Sequence, residues 1–135
     1  MQILIADDQQ ECREMVRKAL REIMPECHFS LAQDGTHAWW ELTAPGARFD
    51  LLIVDINMPL VDGLELVKRM HEHPELKHLP VIMCTGVADE HTVKAAAHLH
   101  VSNYLVKPYK ITNLIRRVLD VLGLDPPTDD PGPAV

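Results

Sequence analysis

Residues 49–63 read Phe-Asp-Leu-Leu-Ile-Val-Asp-Ile-Asn-Met-Pro-Leu-Val-Asp-Gly. The unbroken aliphatic run before Asp55 is the pattern of a strand buried on both faces, as in a parallel sheet covered by helices. A carboxylate ends the run, and Asn57-Met58-Pro59 behind it turns the chain out of the sheet. Outward from this stretch, short runs of the same kind stand at 3–6, 27–32, 81–84 and 103–106, which together with 49–54 makes five candidate strands. The segments between them have helical spacing. In the first, Cys12, Met15, Val16, Ala19, Leu20 and Ile23 share one helical face, with Pro25 just past the end. In the last, Ile111, Leu114, Ile115, Val118, Leu119 and Leu122 form an i, i+3, i+4 stripe closed by Gly123. Helices at about 35–44, 63–72 and 88–99 complete the alternation. The expectation is an α/β protein built on a single doubly wound parallel sheet, with helices on both faces and right-handed crossovers.

Length and charge restrict what such a sheet can serve. With 135 residues, 47% hydrophobic and 24% charged, the chain has material for one domain. At that size neither a disulfide nor a metal is needed to hold the core together. The 13 Lys+Arg against 20 Asp+Glu give a net charge of -7, the wrong sign for gripping phosphate backbones, and 4% aromatics are too few for a base-stacking platform. Direct nucleic-acid binding is therefore disfavoured. Cys12, Cys27 and Cys84 are odd in number, lack Cys-x-x-Cys spacing and fall in apolar segments, so reduced core cysteines are expected. The first residues supply neither a basic n-region nor a long enough h-region, and no stretch approaches the ~20 apolar residues of a membrane span; a cytoplasmic protein is expected. After Leu124 the chain turns to Asp125-Pro126-Pro127-Thr128-Asp129-Asp130-Pro131-Gly132-Pro133, with almost nothing to bury. Residues 1–123 read as the folded domain, and 124–135 as a disordered tail or the start of an interdomain linker.

In an open α/β sheet the ligand crevice lies outside the carboxyl ends of the strands. There the first run ends in Asp7-Asp8, the third in Asp55, the fourth in Thr85 and the fifth in Lys107-Pro108. Each has a plain alternative: Asp8 as a helix cap, Asp55 as a turn residue, Thr85 as a cap for the 88–99 helix, Lys107 as a solvated lysine. Their convergence at one edge argues otherwise. Carboxylates within ~4 Å repel by about 4 kcal/mol per pair at an effective dielectric of 20, so a cation must offset them. Oxygen-only ligands with open positions suit Mg2+.

Taken in order, Asp7-Asp8, Asp55 in Asp55-Ile56-Asn57-Met58-Pro59 followed by Asp62-Gly63, Thr85, Tyr104 in the fifth strand and Lys107-Pro108 resemble the receiver domain of two-component response regulators. The resemblance covers about residues 1–123. It implies the flavodoxin-like strand order 2-1-3-4-5 and a phosphoacceptor signalling domain, not an enzyme acting on a separate substrate. Carried over position by position, Asp55 looks like the phosphoacceptor for a phosphohistidine on a histidine kinase or histidine phosphotransfer protein. Asp7 and Asp8 look like the Mg2+-binding acidic pair, with Asp55 and the backbone carbonyl of Asn57 as further ligands. Lys107 looks like the phosphate-contacting lysine, before a proline that the family commonly has in cis. Thr85 and Tyr104 look like the switch pair: the threonine hydroxyl moves onto the phosphoryl oxygen and the aromatic rotates inward. Tyr109 stands where the family often has phenylalanine and Gly86 where it often has alanine. Asn57 and Val87 hold the positions that tune phosphoryl lifetime.

Other readings share parts of this pattern. A dehalogenase-type aspartyl-phosphate phosphatase also uses a carboxylate nucleophile with Mg2+, but in first-strand Asp-x-Asp spacing, which Asp7-Asp8-Gln9 lacks. A flavodoxin-like FMN binder needs a Ser/Thr/Gly-rich phosphate loop where this chain places two carboxylates. The isolated input half of a larger transcriptional or enzymatic regulator stays open. Outside the motif, Arg13, Arg17 and Arg21 form a basic stripe on the first helix, either a docking side for the phosphodonor or a solvated face paired with Glu11, Glu14 and Glu22. Lys94, Lys110, Arg116 and Arg117 mark an output surface, built from the 88–99 helix, fifth strand and last helix, for an effector or a second copy. His71, His73, His78, His91, His98 and His100 read as solvated rather than as transition-metal ligands. Trp39 and Trp40 lie about 100° apart on a helix, so both cannot face the core.

Overall fold

The computed structural model describes residues 1–86, 90–99, 101 and 103–125. Each aliphatic run forms a strand and each spaced segment a helix: β1 (Gln2–Ala6), α1 (Gln10–Ile23), β2 (His28–Ala32), α2 (Gly35–Thr43), β3 (Leu51–Asp55), α3 (Gly63–His71), β4 (Val81–Thr85), α4 (Glu90–His98), β5 (Asn103–Val106) and α5 (Ile111–Leu122). The strands pair in parallel in the order β2-β1-β3-β4-β5. This is the expected doubly wound sheet, with order 2-1-3-4-5.

The unbroken runs are explained by two cores. On one face Leu4, Ala6, Leu52, Val54 and Met83 meet Ala38 and Leu42 of α2, Leu66, Val67 and Met70 of α3, and Ala96 of α4. On the other, Ile3, Ile5, Leu51, Ile53, Ile82, Cys84 and Leu105 meet Val16 and Leu20 of α1 and Leu114 and Val118 of α5. Successive strand residues point to opposite faces, so each must be apolar once both faces are covered. Fully burying a Leu or Ile side chain stabilises by about 1.5–3 kcal/mol, and a polar residue at every second position would empty one of these layers.

Helix starts and the strands before them decide where the site can form. Asp34 caps α2 by accepting from the His37 amide at 2.7 Å, and Asp62 caps α3 by accepting from the Glu65 amide at 2.8 Å. Each cap is followed by glycine in the first helical position. A Cβ on Gly63 would sit 2.6 Å from the Asp55 carbonyl oxygen, and one on Gly35 would collide with the Val61 carbonyl. Only glycine lets α3 begin directly against the end of β3 and α2 against the β3–α3 loop. By contrast, the N-cap of α1 is Gln9, with no side-chain bond to the helix. The plain reading of Asp8 as a helix cap is therefore not what the fold uses.

Two expectations need correction. Met15 is 47% exposed, so the buried strip of α1 is the narrower line of Val16 and Leu20. Of the three cysteines only Cys84 is buried; Cys12 and Cys27 are partly exposed. α1 shares this face of the sheet with α5, and Ile23 packs partly buried against the same core.

Candidate functional site

The parallel register carries the ends of the runs to one edge. Ala6 pairs with Val54, Asp55 with Cys84 and Thr85 with Val106. Asp7, one residue beyond β1, and Asp55, the last residue of β3, therefore emerge side by side, in the crevice where the strand order reverses. Asp7 is 7%, Asp55 6% and Thr85 1% exposed, and they are the buried polar residues among those described. Asp8 is exposed, yet its carboxylate joins the other two: oxygens of Asp7, Asp8 and Asp55 lie within 4.8 Å of one another.

Lys107 crosses this group from the end of β5. Its Nζ donates to Asp7 Oδ2 at 2.9 Å and to Asp55 Oδ2 at 3.2 Å, so it is not the solvated lysine of the plain reading. The Lys107-Pro108 peptide is cis, and the Lys107 amide donates to the Thr85 carbonyl at 2.6 Å. The remaining carboxylate oxygens take backbone amides: Asp7 Oδ1 accepts from Gln9 at 2.9 Å and Asp55 Oδ1 from Asn57 at 3.1 Å. Asp55 thus serves as a turn residue as well as a site carboxylate.

Burial pushes the Asp55 carboxyl above its ordinary range, a rise that Lys107 and the Asn57 amide only partly counter and that the Asp7 charge reinforces. Burial alone would lower the Lys107 ammonium, but its hydrogen bond to Asp7 and the charges of Asp55 and Asp7 outweigh this and hold it above its ordinary value. Three carboxylates and one ammonium leave two formal negative charges in the group. At these separations each like pair repels by roughly 3–4 kcal/mol with an effective dielectric of about 20. An all-oxygen donor set with one exposed member fits a hard divalent cation that keeps some of its waters. Among the described residues no other set of three His, Cys, Asp or Glu side chains converges. His71, His73, His78 and His98 therefore build no ligand set with one another, while the His91 side chain, His100 and Val87 lie outside the described residues.

The sequence reading missed two neighbours. Arg13 Nη1 donates to the Asp7 carbonyl at 2.6 Å, and Cys12 Sγ lies 3.2 Å from Gln9 Oε1 and 3.9 Å from Lys107 Nζ. The available signal was their place in the first turns of the helix behind Asp7-Asp8. Arg17 pairs with Glu14 on its own helix, and Arg21 is exposed. Beyond the acidic group, Tyr104 packs partly buried against the core of the α2, α3 and α4 face, opposite Met83. Cys84 is held up to about 12, chiefly by burial. Tyr109 packs against the opposite core, its phenol also raised by burial. A Cβ on Gly86 would meet nothing within 4 Å, so the close packing that fixes Gly35 and Gly63 is absent there. Lys94, Lys110 and Arg116 are exposed and Arg117 is partly buried. Trp39 packs on the core with its ring edge-on to His73 at 5.9 Å, whereas Trp40 is 68% exposed.

The model of the response regulator receiver domain matches residues 3–119. The chain is 36% identical over 126 residues to the cyclic di-GMP phosphodiesterase response regulator RpfG of Xanthomonas campestris pv. campestris, covering 92% of this chain but only 32% of that regulator. It is 34% identical over 123 residues to the chemotaxis protein CheY1 of Helicobacter pylori, covering 91% of this chain and 98% of that one. The solved Mn2+-bound form of response regulator Rcp1 superposes with a TM-score of 0.76 at 26% identity, over 94% of this chain and 99% of that one. Neither the phosphatase nor the flavin reading is favoured by these matches. The match over nearly the whole described fold, with strands in the order 2-1-3-4-5, places this chain in the response regulator receiver domain family.

Proposed function

We propose that Asp55 accepts the phosphoryl group of a phosphohistidine, from a histidine kinase or a histidine phosphotransfer protein, and that Asp7, Asp8, Asp55 and the Asn57 carbonyl hold the Mg2+ this needs. The observation that carries the reading is the buried Asp55 carboxylate, within 4.8 Å of two further carboxylates and bonded to Lys107. An Asp55 oxygen bonds to phosphorus as the P–N bond breaks, and that electron pair leaves with the imidazole. Bound Mg2+ would neutralise charge on the carboxylate and phosphoryl oxygens. Lys107, which bonds Asp55 Oδ2 at 3.2 Å, would exchange that bond for one to a phosphoryl oxygen on Asp55. The Thr85 hydroxyl then follows onto the phosphoryl group, and Tyr104 responds one strand away. This signals through α4, β5 and α5, where Lys94, Lys110, Arg116 and Arg117 would meet an effector or a second copy.

In this reading residues 1–123 are a phosphoacceptor domain and not an enzyme acting on a separate substrate. Residues 124–135 are a tail or linker, of which 126–135 lie outside the described residues. The domain works in the cytoplasm, with Arg13, Arg17 and Arg21 on the side facing the phosphodonor. Among the described residues no helix is long and apolar enough to cross a membrane. Acetyl phosphate with Mg2+ should add a single phosphate to the protein. Asp55→Asn, or removal of Mg2+ with a chelator, should abolish the addition; undiminished labelling of either would overturn the assignment.

A further inference from the structure

Asp7 is held at four points, one of them from a helix side chain. Its amide donates to the Ala32 carbonyl at 3.1 Å, its Oδ1 accepts from Gln9, its Oδ2 from Lys107, and its carbonyl from Arg13 at 2.6 Å. The Arg13 bond reaches back from α1 across six residues and is partly buried. α1 has no capping side chain at its start, so this bond ties the helix to the β1 end where a capping residue would otherwise do so. Apart from Lys107, the Asp7 residue is held by the Gln9 amide on its carboxylate, the Ala32 carbonyl on its amide and Arg13 on its carbonyl.

We infer that Arg13 is a positioning residue for the cation site: it acts through the Asp7 backbone to set the direction of the Asp7 carboxylate, and it is not primarily a docking contact for the phosphodonor. This rests on the reading of Asp7, Asp8 and Asp55 as the Mg2+ site. Two physical effects oppose each other, which makes the sign of the outcome informative. As a bare positive charge beside the site, Arg13 repels a divalent cation, and its removal would tighten binding. As the group that orients a ligand, its removal weakens binding, as loss of a partner behind a metal ligand does by about 10–100-fold.

The test is calorimetric titration of the whole protein, without phosphodonor, using Mg2+ alone and then Mn2+ alone, on the parent, Arg13→Met and Arg13→Lys. Arg13→Met removes charge and donor together while keeping an unbranched side chain. The expected result is affinity weakened about tenfold in Arg13→Met and recovered most of the way in Arg13→Lys, which can still donate to a carbonyl. Labelling by acetyl phosphate should then fall at low Mg2+ and return to the parent rate at saturating Mg2+. Unchanged or tighter cation binding by folded Arg13→Met would overturn the inference, as would Arg13→Lys no better than Arg13→Met. Should Arg13→Met fail to fold, Arg13→Ala takes its place under the same criteria. A parent that binds neither cation would sink the site reading itself, a result distinct from a parent that binds and a variant that binds equally well.

Discussion

Three helices of this domain begin just after an aspartate at the carboxyl edge of the sheet, and the aspartates do opposite things. At α2 and α3 an Asp-Gly pair starts the helix: the aspartate spends its side chain on a helix amide, and the glycine lets the first turn press against backbone. At α1 the corresponding place holds Asp7-Asp8-Gln9, no side chain caps the helix, and both carboxylates join Asp55. A carboxylate committed to a cap is neutralised by helix amides and adds stability. One withheld from a cap stays available to a cation, at a cost in repulsion. The chain builds its scaffold with the first kind and its site with the second.

Substitution of the glycines should break the scaffold side of this comparison most strongly. Gly35→Ala is expected to destabilise by about 1–3 kcal/mol or more, because the added methyl meets carbonyl backbone that cannot rotate aside. Gly63→Ala should follow at the lower end of that ~1–3 kcal/mol range, since its collision is milder. Gly86→Ala, with open space around it, serves as the control and should leave urea unfolding nearly unchanged. Next come the caps: Asp34→Ala and Asp62→Ala should each lower stability by about 1 kcal/mol. Asp8→Ala should lower it not at all, and should raise it in buffer without divalent cation by relieving repulsion. A loss for Asp8→Ala equal to that for Asp62→Ala would erase the distinction between cap and site.

The smallest effect sharpens the site side. Because burial holds the folded Asp55 carboxyl above its unfolded range, its protonated form is the one the fold favours. Its contribution to stability is full below the unfolded value near 3.8 and is lost as pH rises through the folded value. In the absence of divalent cation, Asp55→Asn should therefore melt higher than the parent at neutral pH. The gap should close as the two are compared in progressively more acid buffer. A variant that melts lower than the parent at neutral pH would show that the Lys107 pair outweighs desolvation.

The elements were legible in the sequence because burial on both faces leaves a mark that needs no partner to read. Strands β1 and β3 are unbroken aliphatic runs for that reason, and α5 shows its stripe up to Gly123. The acidic residues were legible as well, since strand ends in such a sheet are places that a local pattern can locate. What the pattern could not supply was how far around α1 the core extends. Met15 fits the helical face as well as Val16 does, but only the way α1 packs on the sheet decides which of them is covered.

Residue type and spacing by themselves thus determined the alternation of strands and helices, the doubly wound sheet and the residues eligible for the site. Tertiary structure decided which aspartates cap and which converge, that Lys107 bonds Asp7 across 100 positions and Asp55 across 52, and that Arg13 turns back to the Asp7 carbonyl. The physical reason is range. Burial and helix capping act over a few residues and write themselves into local composition, whereas a bond between side chains from different strand ends exists only once the parallel register has brought those ends to one edge.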